Sequence, residues 1–143
     1  MAKQRTGGCL CGKVRYRVED TPDVLHICHC SMCQRWSGGP SFSLHVTTPV
    51  TYESDETLVW FDSSDWAQRG FCNACGSSIA YRLKDGDDTM ISAGTLDDLS
   101  GVTVENQIFI DEKPGHYDFA GDIPALTGAE VFALLAPADE DPS

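Results

Sequence analysis

All seven cysteines of this chain lie in three short clusters whose spacing is typical of metal ligands. The clusters are Cys9-Leu10-Cys11, Cys28-His29-Cys30-Ser31-Met32-Cys33 and Cys72-Asn73-Ala74-Cys75. Thiolates two or three residues apart can bind one zinc ion, whose tetrahedral shell has sulfurs at about 2.3 Å. Seven ligands divide into four and three, so the sequence predicts one closed site and one site with a vacant position.

The outer two pairs of cysteines form the predicted closed site. In Cys72–Cys75 the second ligand is followed by Gly76, and in Cys9–Cys11 it is followed by Gly12. A glycine at this point permits the positive φ with which a zinc knuckle turns its backbone amides toward the sulfurs. Such a site would join the N-terminal segment to the middle of the domain. A buried or redox-active pair of cysteines is the alternative interpretation.

The middle cluster differs, because Cys28, Cys30 and Cys33 supply only three sulfurs and another group must fill the fourth metal position. Water, His29, a distant side chain and an incoming thiol are the candidates. On an extended segment His29 would point away from its neighbours, so we expect a structural role for it. A zinc ion with three thiolates suits activation of a thiol better than hydrolysis. The other histidines, for which we also expect structural or surface roles, are His26, His45 and His116.

The composition indicates a cytoplasmic protein of one domain. With 143 residues, of which 41% are hydrophobic, the chain is long enough to bury a core. We predict one domain over residues 1–136, followed by an acidic, disordered tail over residues 137–143. No segment resembles a signal peptide or a membrane span. Disulfides are rare in the cytoplasm, so clustered cysteines indicate metal binding or redox chemistry.

The charge distribution argues against a nucleic-acid partner and favours a small anionic one. The formal net charge is −12, whereas binding to phosphates needs clustered cations. Residues 1–36 nevertheless contain six cations and three acids, together with five of the seven cysteines. A locally positive environment would stabilise thiolates and attract a small anionic substrate.

The pattern along the chain predicts a mostly β protein with short strands. Residues 13–19 alternate strictly, which places Val14, Tyr16 and Val18 inward. Residues 84–88 contain a glycine that suits a hairpin loop. The other predicted strands cover residues 24–28, 41–47, 57–61, 67–72, 78–83, 89–93 and 104–110.

Two short helices are also predicted. One follows the middle cysteine cluster, near residues 31–36. The other is C-terminal, because a capping box over Thr127–Glu130 leads into the apolar segment Val131–Leu135. Proline cannot continue a helix, so we expect this one to end at Pro137.

Three motifs together resemble the glutathione-dependent formaldehyde-activating (Gfa-like) family, to which the centromere protein V domain is related. The motifs are Gly8–Tyr16, Cys28–Gly38 and Arg69–Ser77, and their order and spacing match over roughly residues 7–120. The resemblance implies a fold of several small twisted antiparallel sheets around a structural zinc site. It implies two zinc ions per chain, a structural one on Cys9, Cys11, Cys72 and Cys75 and a catalytic, more easily lost one on Cys28, Cys30 and Cys33.

The family's activity is carbon–sulfur bond formation, in which glutathione adds to formaldehyde to give S-hydroxymethylglutathione, or the reverse lyase reaction. The resemblance therefore implies a lyase-type enzyme whose partners are a small thiol, such as glutathione, and a small aldehyde. The catalytic residues would be Cys28, Cys30 and Cys33. For substrate binding, Arg35 could pair with a carboxylate and Trp36 could form an apolar wall.

The chain departs from the family pattern at two positions. Gln34 stands directly after the third cysteine of the middle cluster, where a basic residue is common, and His116 stands where a tryptophan is common. If either position helps to bind the substrate, the identity of the thiol as glutathione stays open.

Two other classes of protein remain open. One is a zinc-scaffolded binding module without catalysis, as the centromere protein V domain suggests. The other is a redox enzyme that uses Cys30 and Cys33, or Cys72 and Cys75, as a dithiol. A zinc count tests the redox class, since about two zinc ions per chain leave no free dithiol, and serine at Cys28, Cys30 and Cys33 tests the binding module, which would keep its partner.

Overall fold

A computed structural model of the chain describes residues 3–135, and most of its regular structure is β. The chain forms two compact units. The first unit comprises Met1–Leu25 and Phe42–Thr103, and the second comprises His26–Ser41 and Val104–Ser143. The single domain expected over residues 1–136 stays a prediction. The tail expected over residues 137–143, with Pro137, lies outside the described residues.

Between residues 3 and 135 the chain has eleven strands and two α-helices. The strands are β1 (Arg5–Gly8), β2 (Arg15–Val18), β3 (Val24–Cys28), β4 (Ser41–Val46), β5 (Thr51–Ser54), β6 (Leu58–Asp62), β7 (Ala67–Cys72), β8 (Ser78–Leu83), β9 (Thr89–Ser92), β10 (Thr103–Ile108) and β11 (Ala125–Leu126). The helices are α1 (Ser31–Ser37) and α2 (Gly128–Leu135), and 3₁₀ turns cover Ala93–Thr95 and Ile110–Glu112. Neither α-helix in this part of the chain has the length and hydropathy of a membrane-spanning segment.

All eight predicted strands are confirmed, with ends within two residues of the prediction. Both predicted helices are confirmed as well. Strands β1, β5 and β11 were not predicted. The first contains two glycines, which strands disfavour, and the third has only two residues.

The first unit contains the hydrophobic core that includes two of the cysteines. Strands β1, β2 and β5 form an antiparallel sheet, and β4, β9, β8, β7 and β6 are antiparallel neighbours in that order. Val14, Tyr16 and Val18 are fully buried, as their alternation predicted. Cys9 and Cys72 pack in the same cluster of buried side chains. The core therefore fixes one cysteine from each outer pair.

The second unit contains α1 and the end of β3, the two elements that carry its cysteines. Strand β3, from His26 onward, neighbours β10, and β11 pairs with β10 in parallel, an exception to the antiparallel pairing that the resemblance implied. Helix α1 begins at the N-cap Cys30, whose Sγ accepts a hydrogen bond from the Cys33 amide at 3.3 Å. It ends at Gly38, with φ of +78°, whose amide donates to the Gln34 carbonyl at 2.8 Å.

The predicted capping box starts α2. The Thr127 amide donates to Glu130 Oε1 at 2.9 Å, and the Glu130 amide donates to Thr127 Oγ1 at 3.2 Å. These two bonds satisfy amides that a helix start would otherwise leave unpaired. Phe132 packs edge-on against Phe109 with ring centroids 5.7 Å apart, which attaches the helix to its own unit.

Asp97 connects the two strands, β1 and β2, that flank the turn with Cys9 and Cys11. Its carboxylate accepts hydrogen bonds from Arg15 Nη1 and Nη2 at 3.0 and 2.5 Å and from Thr6 Oγ1 at 2.7 Å. The Arg15 guanidinium and then the Thr6 hydroxyl lower the pKa of Asp97 to about 2. This cluster joins β1 and β2 to the segment after β9. It therefore holds both ends of the turn that contains Cys9.

We expect Asp97→Asn to destabilise the protein by about 0.5–1 kcal/mol, the range for a half-exposed ion pair of good geometry. Because the folded pKa lies below the unfolded value, the contribution is fully present above about pH 4 and disappears as the pH falls toward about 2. Urea denaturation of both proteins should therefore show the same difference at about pH 6 and pH 8. A difference that changes across this interval would contradict the assignment.

Candidate metal centres

The four outer cysteines meet in the first unit. Their sulfur atoms all lie within 4.8 Å of one another. The Cys9 and Cys11 sulfurs are 3.5 Å apart, and those of Cys11 and Cys72 are 3.8 Å apart. A tetrahedral ion with bonds of about 2.3 Å requires sulfurs about 3.8 Å apart, so the arrangement fits one zinc-sized ion. We call this set, completed by Cys75, the four-cysteine site.

Each pair of the four-cysteine site is held by a knuckle turn. Gly12 has φ of +81° and its amide donates to the Cys9 carbonyl at 3.1 Å. Gly76 has φ of +84° and its amide donates to the Cys72 carbonyl at 2.7 Å. Because side chains other than glycine rarely adopt this φ, the turns depend on the two glycines that the sequence singled out.

Two hydroxyl groups support the sulfurs of the second pair. Thr57 Oγ1 lies 3.3 Å from Cys72 Sγ, and Ser77 Oγ lies 3.2 Å from Cys75 Sγ. The Thr57 hydroxyl lowers the pKa of Cys72, and the hydroxyl and amide of Ser77 lower the pKa of Cys75 to about 5. Stabilised thiolates are the ligands that a metal ion requires. Sequence reasoning missed both hydroxyl groups, although Ser77 lies close enough to Cys75 to be found.

The middle cysteines form a second cluster, in the second unit. The sulfurs of Cys28, Cys30 and Cys33 lie within 4.8 Å of one another, and we call them the cysteine triad. Cys33 is buried, whereas Cys28 and Cys30 are partly exposed. Hydrogen bonding to the Cys30 and Cys33 sulfurs, together with burial, raises the pKa of Cys28 well above its usual value. Three crowded sulfurs become thiolates readily only when a cation compensates their charge, so this donor set also fits a metal ion.

His29 is not a ligand of the triad. Its ring is fully buried, with Nδ1 2.7 Å from the Tyr117 hydroxyl and Nε2 2.9 Å from Gln107 Oε1. Both ring nitrogens are therefore engaged away from the sulfurs, as the extended geometry predicted. Among the described residues no other histidine or carboxylate joins the three cysteines. Protein side chains in this part of the chain thus supply three donors, and the fourth position suits water or a thiol.

The other histidines have structural or surface positions. His26 Nδ1 lies 2.7 Å from Asn106 Oδ1, and His45 Nε2 lies 2.7 Å from Asp88 Oδ1. His116 is exposed and contacts the Tyr117 ring at 5.1 Å between centroids.

The two residues predicted to bind substrate follow the triad directly on α1. Arg35 is exposed and Trp36 is half-buried. Gln34, the first departure from the family pattern, uses its side-chain amide for backbone contacts. Gln34 Nε2 donates to the His29 carbonyl at 2.7 Å and to the Glu112 carbonyl at 3.0 Å. This residue is thus a support of the triad.

The fold and the two clusters define the class of protein: a mostly β chain with two candidate metal sites, one with four cysteine ligands and one with three. The model of the family "Glutathione-dependent formaldehyde-activating enzyme" matches residues 4–112, and the chain belongs to this family. The match covers all seven cysteines.

Two curated proteins are similar to the chain. A Schizosaccharomyces pombe protein named "Uncharacterized lyase" is 29% identical over 130 residues, which cover 90% of this chain and 95% of that protein. A Halomonas elongata protein named "Putative glutathione-dependent formaldehyde-activating enzyme" is 29% identical over 82 residues, which cover 51% of this chain and 52% of that protein.

A crystal structure of a Rhodobacter sphaeroides protein has the same fold. It superposes with a TM-score of 0.55 at 21% identity and covers 69% of this chain and 98% of its own. At this identity the likeness concerns the fold alone.

Proposed function

We propose that the protein is a zinc-dependent enzyme of the carbon–sulfur lyase type, which joins a small thiol to formaldehyde or another small aldehyde, or catalyses the reverse. The observation that carries the proposal is the cysteine triad, in which three sulfurs converge and no fourth cysteine, histidine or carboxylate of the described residues completes the set. Family membership and the lyase name of the S. pombe relative support the same chemistry.

The two centres have different roles in this proposal. The four-cysteine site holds a structural zinc ion, and the cysteine triad holds the catalytic one. Cys28, Cys30 and Cys33 would hold this ion, and zinc there would lower the pKa of a substrate thiol enough for it to react as a thiolate near neutral pH. Cys28, Cys30 and Cys33 are the catalytic residues, because these three ligands leave the fourth metal position to the substrate thiol.

The reaction needs no oxidant and no second cofactor. The thiol gives its proton to water, the substrate sulfur forms a bond to the aldehyde carbon, and the carbonyl π electron pair moves onto the oxygen, which takes a proton back from water. In reverse, the hydroxyl oxygen loses its proton to water, the carbonyl forms again, and the carbon–sulfur bond breaks with its electron pair on the sulfur, which takes up a proton. Electrons and protons balance in both directions.

Arg35 and Trp36, which follow Gln34 on α1, bind the substrate. Arg35, exposed on α1, pairs with a carboxylate of the thiol substrate, and Trp36 forms an apolar wall. A carboxylate-bearing small thiol such as glutathione suits a guanidinium in this position. The acidic net charge of −12 favours small-molecule partners over nucleic acid, and we place the protein in the cytoplasm, away from membranes.

The test is a rate measurement on the unmodified protein. Glutathione and formaldehyde combine spontaneously, so NMR exchange spectroscopy reports how fast free and S-hydroxymethylated glutathione interconvert. We expect zinc-loaded protein to accelerate the exchange in proportion to its concentration. A panel of other thiols and small aldehydes identifies the preferred pair. No acceleration with any pair, in protein that contains two zinc ions per chain, would refute the proposal.

A further inference from the structure

We propose that Gln34 and His29 are positioning residues, which hold the cysteine triad in ligand geometry through the segment Gln107–Tyr117 before a metal ion binds. The inference rests on the metal assignment within the proposed function. It concerns residues that bind no metal themselves and whose role follows from their hydrogen bonds.

The backbone that carries the triad changes structure between its ligands. Cys28 ends strand β3, whereas Cys30 caps helix α1 and Cys33 lies in its first turn. His29 is the single residue at the junction. A small rotation there would move the Cys28 sulfur away from the other two, so the geometry of the site depends on how firmly His29 is held.

His29 is held on both its backbone and its ring. Its amide donates to the Ile108 carbonyl at 3.1 Å. A side-chain carbonyl oxygen only accepts, so His29 Nε2 donates to Gln107 Oε1 and Nδ1 accepts from the Tyr117 hydroxyl. The ring also lies 5.6 Å from the Tyr117 ring between centroids. Because His29 is fully buried, water does not compete for these bonds.

Gln34 connects the helix back to the same junction. Both hydrogen bonds of its Nε2 go to backbone carbonyls, those of His29 at 2.7 Å and Glu112 at 3.0 Å. Glu112 Oε1 in turn accepts from the Ser31 amide at 3.0 Å, at the start of α1. The segment Gln107–Tyr117 therefore supports the triad from the β3 end and from the helix end.

This arrangement predicts that the donor character of residue 34 matters more than its size. In Gln34→Glu the side chain keeps its shape, but a carboxylate can only accept and would face two carbonyl oxygens. In Gln34→Lys the side chain again donates to them. Residues that orient ligands typically change metal affinity by about 10–100-fold when they are altered.

The experiment measures metal affinity at each centre separately. Cobalt-loaded protein is titrated with a chelator, and the spectrum of a variant with serine at all three triad positions gives the contribution of the four-cysteine site. We expect Gln34→Glu to lower triad affinity by about 10–100-fold while Gln34→Lys recovers most of it. Ser37→Ala, at the exposed end of the same helix, is the matched control. Tyr117→Phe, which removes one donor and keeps the ring, decides the matter if Gln34→Glu fails to fold.

Hydrogen exchange tests the same claim without metal in the triad. In protein that holds one zinc equivalent, we expect slow exchange of the His29 and Gln34 amides, and faster exchange in Gln34→Glu. Wild-type affinity and exchange in both Gln34→Glu and Tyr117→Phe would overturn the inference. Equal loss of metal from both centres, or no recovery in Gln34→Lys, would also overturn it. Neither readout involves aldehyde or thiol turnover, so failure of the proposed function would be recognised separately.

Discussion

Serine in place of Cys72 is expected to unfold the first unit of the protein at room temperature. Structural zinc in small domains contributes apparent binding energies of about 10–16 kcal/mol, whereas whole domains are stable by about 5–15 kcal/mol. Cys72 is fully buried in the core beside Cys9, so its loss also leaves a hydroxyl in place of a sulfur among apolar side chains.

Circular dichroism and urea denaturation check this expectation, together with the zinc content of the purified protein. Leu10→Ala is the matched control, because Leu10 lies between two ligands of the same site and its side chain is 89% exposed. A Cys72→Ser protein that lacks this zinc ion and still unfolds cooperatively at the wild-type urea concentration would show that the four-cysteine site is not structural.

Serine in place of Cys30 is expected to abolish activity and preserve the fold. The Cys30 sulfur is one of three triad donors and also caps α1 by accepting from the Cys33 amide at 3.3 Å. Serine is among the preferred N-cap residues, so the helix start survives while the metal position loses a ligand. We expect glutathione–formaldehyde exchange to fall to the spontaneous rate and the zinc content to fall from about two to about one per chain.

The matched control for Cys30→Ser is Met32→Leu, since Met32 lies between two triad cysteines and is 39% exposed. This variant should keep both zinc ions and the wild-type rate. If Cys30→Ser keeps its activity with one zinc ion per chain, the cysteine triad is not the catalytic site. Cys30→Ser also distinguishes an enzyme from a binding module, because a binding module has no catalysed rate for the substitution to lower.

The cysteine sites were predictable from the sequence because their ligands are local. Two cysteines separated by one or two residues meet wherever the intervening turn is possible, and Gly12 and Gly76 make it possible at +81° and +84°. The two outer pairs then give a site with four ligands, and the middle cluster gives a site with three. The strict alternation of residues 13–19 fixed the core-facing side of β2 for the same local reason.

Apart from the Ser77 hydroxyl, the supports of the sites were not predictable, because these contacts join distant parts of the chain. Thr57 reaches Cys72 across 15 residues, and Gln107 reaches His29 across 78 residues. Gln34 is the clearest example. Its place beside the triad left a substrate contact open, whereas its amide supports the backbone at His29 and Glu112. Only the path of the segment after β10 determines which of these two roles it has.

The most direct test of the central claim is a titration of glutathione into protein that carries cobalt in the cysteine triad. Thiolate-to-cobalt charge-transfer bands report how many sulfurs bind the ion. We expect glutathione to raise and shift these bands with saturation, and S-methylglutathione, which has no thiol, to leave them unchanged. Bands that no small thiol alters would show that the triad offers no position to a substrate sulfur, which contradicts the account.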